Sequence, residues 1–328
     1  ATAYVRNHNL FVIDGEGRVR QISTDGSREM VYGVTAYREM FGIYKGTFWN
    51  PDGSRLAFYR MDQTMVPDYP LVDVDPDSMA VLAPEKYPMA GRTTHEVTIG
   101  VYDVKSDKTI YLKVGNPKDR YFVNIGWSPD GKTIYLKEFN RKQNEMSLDA
   151  YDAVTGDKRA TLYTERHEKY ITSYTSVAFL PWDADKFILQ SQKDGYNHLY
   201  LFNTKGEMLR QLTSGNFVVY DLLGFDKARK RAIILSAESS PIQSNLYAVD
   251  IATGKRTLLD NGRGVHANII SPSGFHDRAL SPDGGWIIDN YAEPTVPRNI
   301  DFINLKTDKS TRYFTADNPW KDYAEPQI

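Results

Sequence analysis

Six histidines and one serine in a Gly-Trp-Ser-Pro-Asp-Gly run are the side chains of this sequence best suited to chemistry. Acyl transfer needs a serine on a strained elbow, a histidine base and an acid. The sequence of 328 residues contains no Gly-x-Ser-x-Gly. Ser128 lies in Gly126-Trp127-Ser128-Pro129-Asp130-Gly131, but Pro129 follows it and Gly131 stands one position too far. Ser128 therefore reads as a turn residue. His8, His95, His167, His198, His266 and His276 show no Asp or Ser partner at a recognisable spacing. There is no cysteine and no paired-histidine ligand motif, so neither thiolate chemistry, a disulfide framework nor a metal centre is expected. The chain is expected to carry no catalytic residue and to need no cofactor.

The elements that would position any site are more legible. Trp49-Asn50-Pro51-Asp52-Gly53 precedes the apolar run Leu56-Ala57-Phe58-Tyr59, and Trp127-Ser128-Pro129-Asp130-Gly131 precedes Thr133-Ile134-Tyr135-Leu136. A weaker copy, Leu280-Ser281-Pro282-Asp283-Gly284, precedes Trp286-Ile287-Ile288. Pro presets φ, Asp bonds nearby backbone and Gly accepts positive φ, so each phrase reverses the chain between two strands. A second mark is an apolar strand ending in Asp or Asn, at Asp14, Asp103, Asp152, Asn203, Asp250 and Asn304. From Asp103 the steps are 49, 51, 47 and 54 residues, room for about four short strands each. That is the signature of a β-propeller built from four-stranded blades. Val154-Thr155-Gly156 and Ala252-Thr253-Gly254 turn the chain into the outermost strands of their blades. One partial and five whole blades are expected.

The first step, Asp14 to Asp103, is 89 residues, about twice the others. The surplus runs from about Met61 to His95 and holds Pro67, Pro70, Pro76, Pro84 and Pro88. Proline cannot donate to a ladder, which argues against a hidden blade. Tyr69, Leu71, Val72, Val74, Met79, Val81, Leu82, Tyr87 and Met89 are too apolar for a free linker. An extended, ordered arm is expected there.

Composition excludes some functions. A net charge of −2 without a basic run offers no electrostatic footprint for nucleic acid. No apolar run approaches the roughly 20 residues of a membrane helix. With 41% hydrophobic residues the chain can bury a large core, and the even repeat favours one domain, residues 1–328. Ala1 to Val5 reads as a strand already inside a blade, and the chain stops just past a completed one. Both ends are expected to be cuts in a longer protein.

Four stretches resemble the N-terminal propeller region of the dipeptidyl peptidase IV family of serine peptidases. They are Thr47 to Arg60; Val66-Pro67-Asp68-Tyr69-Pro70 with Lys86-Tyr87-Pro88-Met89-Ala90-Gly91; Ser191 to Tyr200, which contains Gly195-Tyr196-Asn197-His198-Leu199-Tyr200; and the Pro-Asp-Gly turns. The resemblance covers nearly the whole chain. It implies an eight-bladed propeller preceding an α/β-hydrolase domain that lies outside this sequence and would supply Ser, Asp and His. It also implies a dimerising arm, here Val66–Thr93, and a periplasmic or secreted bacterial protein. Gly195, Tyr196 and His198 become structural signature residues, with His198 a hydrogen-bonding residue of its blade.

In the family a short helical insertion before the first turn bears two adjacent glutamates, which bind the free α-ammonium of the peptide substrate. Counting back from Trp49, Pro51 and Gly53 places Arg38 and Glu39 at that pair and Phe41 on a family phenylalanine. Glu39 carries over, whereas Arg38 departs from the pattern. A single glutamate resembles the prolyl tripeptidyl branch, so dipeptide and tripeptide release both remain open. The family's Phe-Arg substrate wall finds no match near Thr172 and Ser173. The plainer alternative makes Arg38 and Glu39 solvated residues of an ordinary turn. The resemblance thus implies the non-catalytic propeller of a post-proline exopeptidase acting on peptides with a free N-terminus. Two rivals are a propeller used only as a protein–protein scaffold and a carbohydrate-acting propeller. A scaffold needs no inserted acidic helix, and a carbohydrate site would want Trp platforms flanking a carboxylate pair, whereas Trp49, Trp127, Trp182, Trp286 and Trp320 sit mostly at turn phrases.

Overall fold

The computed structural model describes residues 1–172, 175–266 and 279–323; the side chains of Arg38 and Glu39, and the residues Ser173 and His276, lie outside the described set. The chain divides into two compact units, Ala1–Val177 and Ala178–Ile328.

The recurring Asp and Asn residues work locally, which is why the repeat is legible. The Asp14 carboxylate accepts the backbone N–H groups of Glu16 and Arg18. Asp103 accepts that of Ser106, Asp152 those of Val154 and Thr155, and Asp250 that of Thr253. The Asn203 and Asn304 side-chain oxygens do the same for Lys205 and Lys306. Each side chain satisfies amides that the turn would otherwise leave unpaired. The Pro-Asp-Gly phrases close as expected: Gly53 donates to Asn50 O at 3.0 Å and Gly131 to Ser128 O at 2.9 Å. Gly131 needs its positive φ of 66° to do so.

In the first unit, Thr2–Arg6, Asn9–Ile13 and Val19–Gln21 form a three-stranded antiparallel sheet. The next sheet is built on Arg55–Asp62, Glu96–Asp103 and Lys108–Tyr111. Its inner position is shared by two short strands: Thr47–Trp49 pairs with Leu56 to Phe58, and Met30–Tyr32 with Arg60 to Asp62. A complete four-stranded sheet follows, Arg120–Trp127, Thr133–Asn140, Glu145–Asp152 and Lys158–Arg166. One core cluster runs through both sheets, including Tyr59, Val97, Ile99, Tyr121, Phe122, Leu136 and Phe139.

The surplus after Asp62 is an ordered hairpin arm. Asp68–Tyr69 pairs with Glu85–Lys86, and Val72–Asp73 with Val81–Leu82. Arg28 ties its base by donating to Asp68 at 2.7 Å and to Pro84 O at 2.8 Å. Beyond that base the arm exposes Leu71, Val72, Val74, Met79, Val81 and Leu82.

In the second unit, Ala178–Leu180, Asp183–Ser191, His198–Asn203 and Met208–Gln211 form one sheet, and Val219–Asp226, Arg231–Ser236, Asn245–Asp250 and Arg256–Leu258 the next. The last sheet has Trp286–Glu293, Val296–Asn304 and Lys309–Thr315, with Leu280 bridging to Ile287 where a fourth strand would begin. Alternation along each strand sends opposite faces to neighbouring sheets: Ile234 and Val249 pack toward Ile188 and Leu201, while Ile233 and Ala248 pack toward Ile287 and Ile303. Repeated antiparallel four-stranded blades with an arm inserted in one of them define an all-β, β-propeller architecture.

Candidate functional site

The site lies in the excursion between the two halves of the broken inner strand. Tyr59 holds its neck: Gly33 N–H donates to Tyr59 O at 2.8 Å, and Tyr59 N–H donates to Gly46 O at 3.0 Å. The two ends are so close that a Cβ on Gly46 would sit 2.1 Å from Val34 O, so only glycine fits. Between them Tyr37–Gly42 forms a 3-10 helix whose N-cap, Ala36, makes no side-chain capping bond. So short and uncapped an element is not stable by itself and must be held by packing.

Two aromatic residues hold it. The Tyr37 ring meets Tyr121 edge-on at 5.0 Å and His95 at 6.2 Å. Phe41 packs on Tyr121 at 5.4 Å and on Phe139 at 5.1 Å. Phe122 N–H donates to Tyr37 Oη at 3.1 Å, and Asn124 Nδ2 donates to Phe41 O at 2.8 Å. Burial pushes the Tyr37 phenol far above its usual range, so it stays neutral. Both anchors have left-handed backbone, φ 57° at Tyr37 and 63° at Phe41. Such conformations cost roughly 1–3 kcal/mol each and concentrate at functional sites.

Arg38 and Glu39 are thus adjacent backbone positions of a helix held at Tyr37 and Phe41. Beside it opens a cleft of about 380 Å³. Met40 and Phe41 form one side, Lys142 and Gln143 the second, and Tyr170, Ile171 and Thr172 the third. The Tyr170 side is shaped by His167, whose Nδ1 accepts the N–H groups of Lys169 and Tyr170. Sequence reasoning missed Lys142, Gln143 and Tyr170, which belong to separate segments without a shared motif.

His198, by contrast, is fully buried in the second unit and far in sequence from the helix. Its Nε2 meets Gly215 O at 3.0 Å, and its Nδ1 meets Thr213 Oγ1 at 3.0 Å. A carbonyl can only accept, so these partners assign the proton to Nε2. Gly195 occupies the preceding turn at φ 104°, and Tyr196 is partly exposed, 6.5 Å from the His198 ring.

His266 has an acid partner that no recognisable spacing along the chain announces. Its Nδ1 lies 2.7 Å from Asp289 Oδ2, and its Nε2 lies 2.6 Å from Arg263 O. Asp289 stands 23 residues away and arrives through strand pairing, which no local spacing signals. Burial pulls the His266 pKa down, but the Asp289 bond and the charges of Asp289 and Asp260 outweigh it and the net shift is upward. With an acceptor at each ring nitrogen and the ring stacked on Tyr291 at 4.2 Å, it is a buried clamp rather than a base facing a substrate.

Ser128 Oγ donates to Asp130 Oδ1 at 2.6 Å and accepts the Thr133 N–H at 2.9 Å. It is a turn residue. Among the described residues no group of three or more His, Cys, Asp or Glu side chains could hold a metal ion.

Antiparallel blades with an arm inserted in one of them define the class: an all-β propeller domain. The family described as "Dipeptidyl peptidase IV (DPP IV) N-terminal region" matches residues 1–298, and the chain belongs to that family. A protein of Aspergillus flavus named "Probable dipeptidyl peptidase 4" is 28% identical over 99% of this chain and 44% of its own length. A solved Bacteroides ovatus structure bearing the name dipeptidyl aminopeptidase IV is 37% identical with a TM-score of 0.82, covering 98% of this chain and 46% of that one. Porphyromonas gingivalis dipeptidyl peptidase 4 is 26% identical with a TM-score of 0.83, covering 96% and 43%. The chain spans under half the length of these relatives.

Proposed function

We propose that this chain is the non-catalytic propeller portion of a serine exopeptidase that releases N-terminal di- or tripeptides, preferentially after proline. The propeller shapes the substrate chamber, and Glu39 anchors the substrate's free amine. The observation that carries the reading is the strained 3-10 helix, built into a gap in an inner strand and bordering a cleft. Family membership and the peptidase names of the relatives support it. A hydrolase domain on the same polypeptide supplies Ser, Asp and His, and the whole protein works in the periplasm or outside the cell.

In this proposal activity belongs to the whole protein alone. Incubated with a Gly-Pro or Ala-Pro chromogenic amide, the 328-residue chain should release nothing above buffer, while the parent should turn over and be silenced by a serine-directed inhibitor. Inhibitor-sensitive turnover by the isolated chain would sink this division of labour.

The arm carries self-association in this proposal, through Val66–Thr93. Exposed apolar side chains on an ordered hairpin call for a covering partner. Deleting Asp68 to Arg92 from the parent should give monomers in sedimentation, and an unchanged dimer would rule the arm out.

A further inference from the structure

Lys137 is a cation buried inside a blade. It lies mid-strand in Thr133–Asn140 at 1% exposure, among the largest fully buried side chains of the chain. Its register partners are Val123 on one neighbouring strand and Leu148 on the other, neither of them titratable. Among the described residues, the charge that favours its ammonium comes from the outer strand of the same blade: buried Glu165, whose Oε2 accepts from Tyr163 Oη at 3.3 Å. Burying an ammonium costs stability even when it is paired, and replacing both members of a buried pair by apolar side chains of similar volume is often neutral or stabilising. Packing alone therefore does not account for a lysine here.

Its Nζ donates to Thr175 O at 2.8 Å. Thr175 stands three residues beyond Thr172, which with Tyr170 and Ile171 forms one side of the cleft. A second anchor acts at the near end, where Ile171 N–H donates to Gln143 O at 2.7 Å. Past Thr175 the chain packs tightly on the blade: a Cβ on Gly126 would lie 3.2 Å from Val177 Cγ2.

We propose that Lys137 is a positioning residue for substrate specificity, its buried ammonium fixing the chain at Thr175 and thereby the cleft side formed by Tyr170, Ile171 and Thr172. This rests on the reading of the cleft as the place of the substrate's amino end. A charge-assisted bond to a carbonyl is roughly twice as strong as a neutral one. Burial lowers the amine's pKa to about 8, with Glu165 acting in the opposite direction, so the anchor weakens when the pH passes that value. The sign for stability is opposite: a lysine with a depressed folded pKa destabilises the fold while charged, and this penalty is relieved as pH rises from about 8 toward its unfolded value of 10.5.

The test compares wild type, Lys137→Met and Lys137→Arg in the parent enzyme. In Lys137→Met the melting temperature should fall, because buried Glu165 loses its neighbouring cation. The amides of Ile171 and Thr172 should exchange with deuterium at least tenfold faster, and KM for a free-amine Xaa-Pro amide should rise at least fivefold with kcat within twofold. Wild-type protection at Ile171 and Thr172 should fall between pH 7.5 and 9.5, a readout independent of the titrating substrate amine, and Lys137→Arg should flatten that fall, since arginine stays charged. Unchanged exchange at Ile171 and Thr172 in Lys137→Met would overturn the positioning role. Faster exchange with KM within twofold of wild type would overturn the link to specificity. If Lys137→Met fails to fold, wild-type protection factors at Ile171 and Thr172 decide: they should fall across pH 7.5 to 9.5, and constancy would overturn the proposal. A parent enzyme indifferent to the substrate amine would instead strike the reading of the cleft, with the exchange result still deciding Lys137.

Discussion

Glu39→Gln in the parent enzyme should lower kcat/KM for a free-amine substrate by tenfold or more. The substitution keeps size and shape and removes the charge. An ammonium bound to a carboxylate contributes on the order of 1.5–3 kcal/mol, and about 1.4 kcal/mol corresponds to each factor of ten. Both kcat and KM should change, because a misplaced amine also misplaces the scissile bond. An N-acetylated substrate, which brings no ammonium, should barely respond. Arg38→Glu would restore the paired acids that the family resemblance implies and should shift release toward dipeptides. Values for Glu39→Gln within twofold of wild type would return Glu39 to a solvated turn.

Phe41→Ala should have the second large effect, and it addresses the scaffold rather than the charge. Phe41 is 5% exposed, and its ring touches Tyr37, Tyr121 and Phe139. Truncating a buried phenylalanine typically costs about 3–5 kcal/mol. Part of that loss should appear as local opening, since a 3-10 helix without an N-cap side chain would keep only Tyr37 as its aromatic anchor. The expected result is a melting temperature lower by roughly 5 °C or more, with KM for free-amine substrates raised and the N-acetylated substrate unaffected. Phe41→Leu should recover much of the stability. An unchanged melting temperature together with unchanged KM would mean that the aromatic cluster does not hold the helix.

The parts of this fold that were legible from the residues are those with local causes. Pro51-Asp52-Gly53 and Pro129-Asp130-Gly131 close turns through bonds spanning three residues, and Asp152 or Asp250 caps its turn with its own carboxylate. The arm was legible as ordered from its apolar side chains, but not as a hairpin, because its ladder segments pair only two residues at a time. The broken inner strand was hidden. It depends on Gly33 and Gly46 meeting opposite sides of Tyr59, which no periodicity records. The cleft was hidden for the same reason: Phe41, Gln143 and Tyr170 are brought together by sheet packing, not by spacing. The His266–Asp289 pair shows how such packing defeats a search for partners along the chain.

The most direct test of the central claim is product analysis by mass spectrometry. The parent enzyme is incubated with one Xaa-Pro peptide carrying a free N-terminus and with its N-acetylated twin. The account predicts that a di- or tripeptide leaves the free N-terminus and that acetylation abolishes release. Equal cleavage of both peptides, or cleavage at internal sites first, would contradict an amine anchor on the propeller.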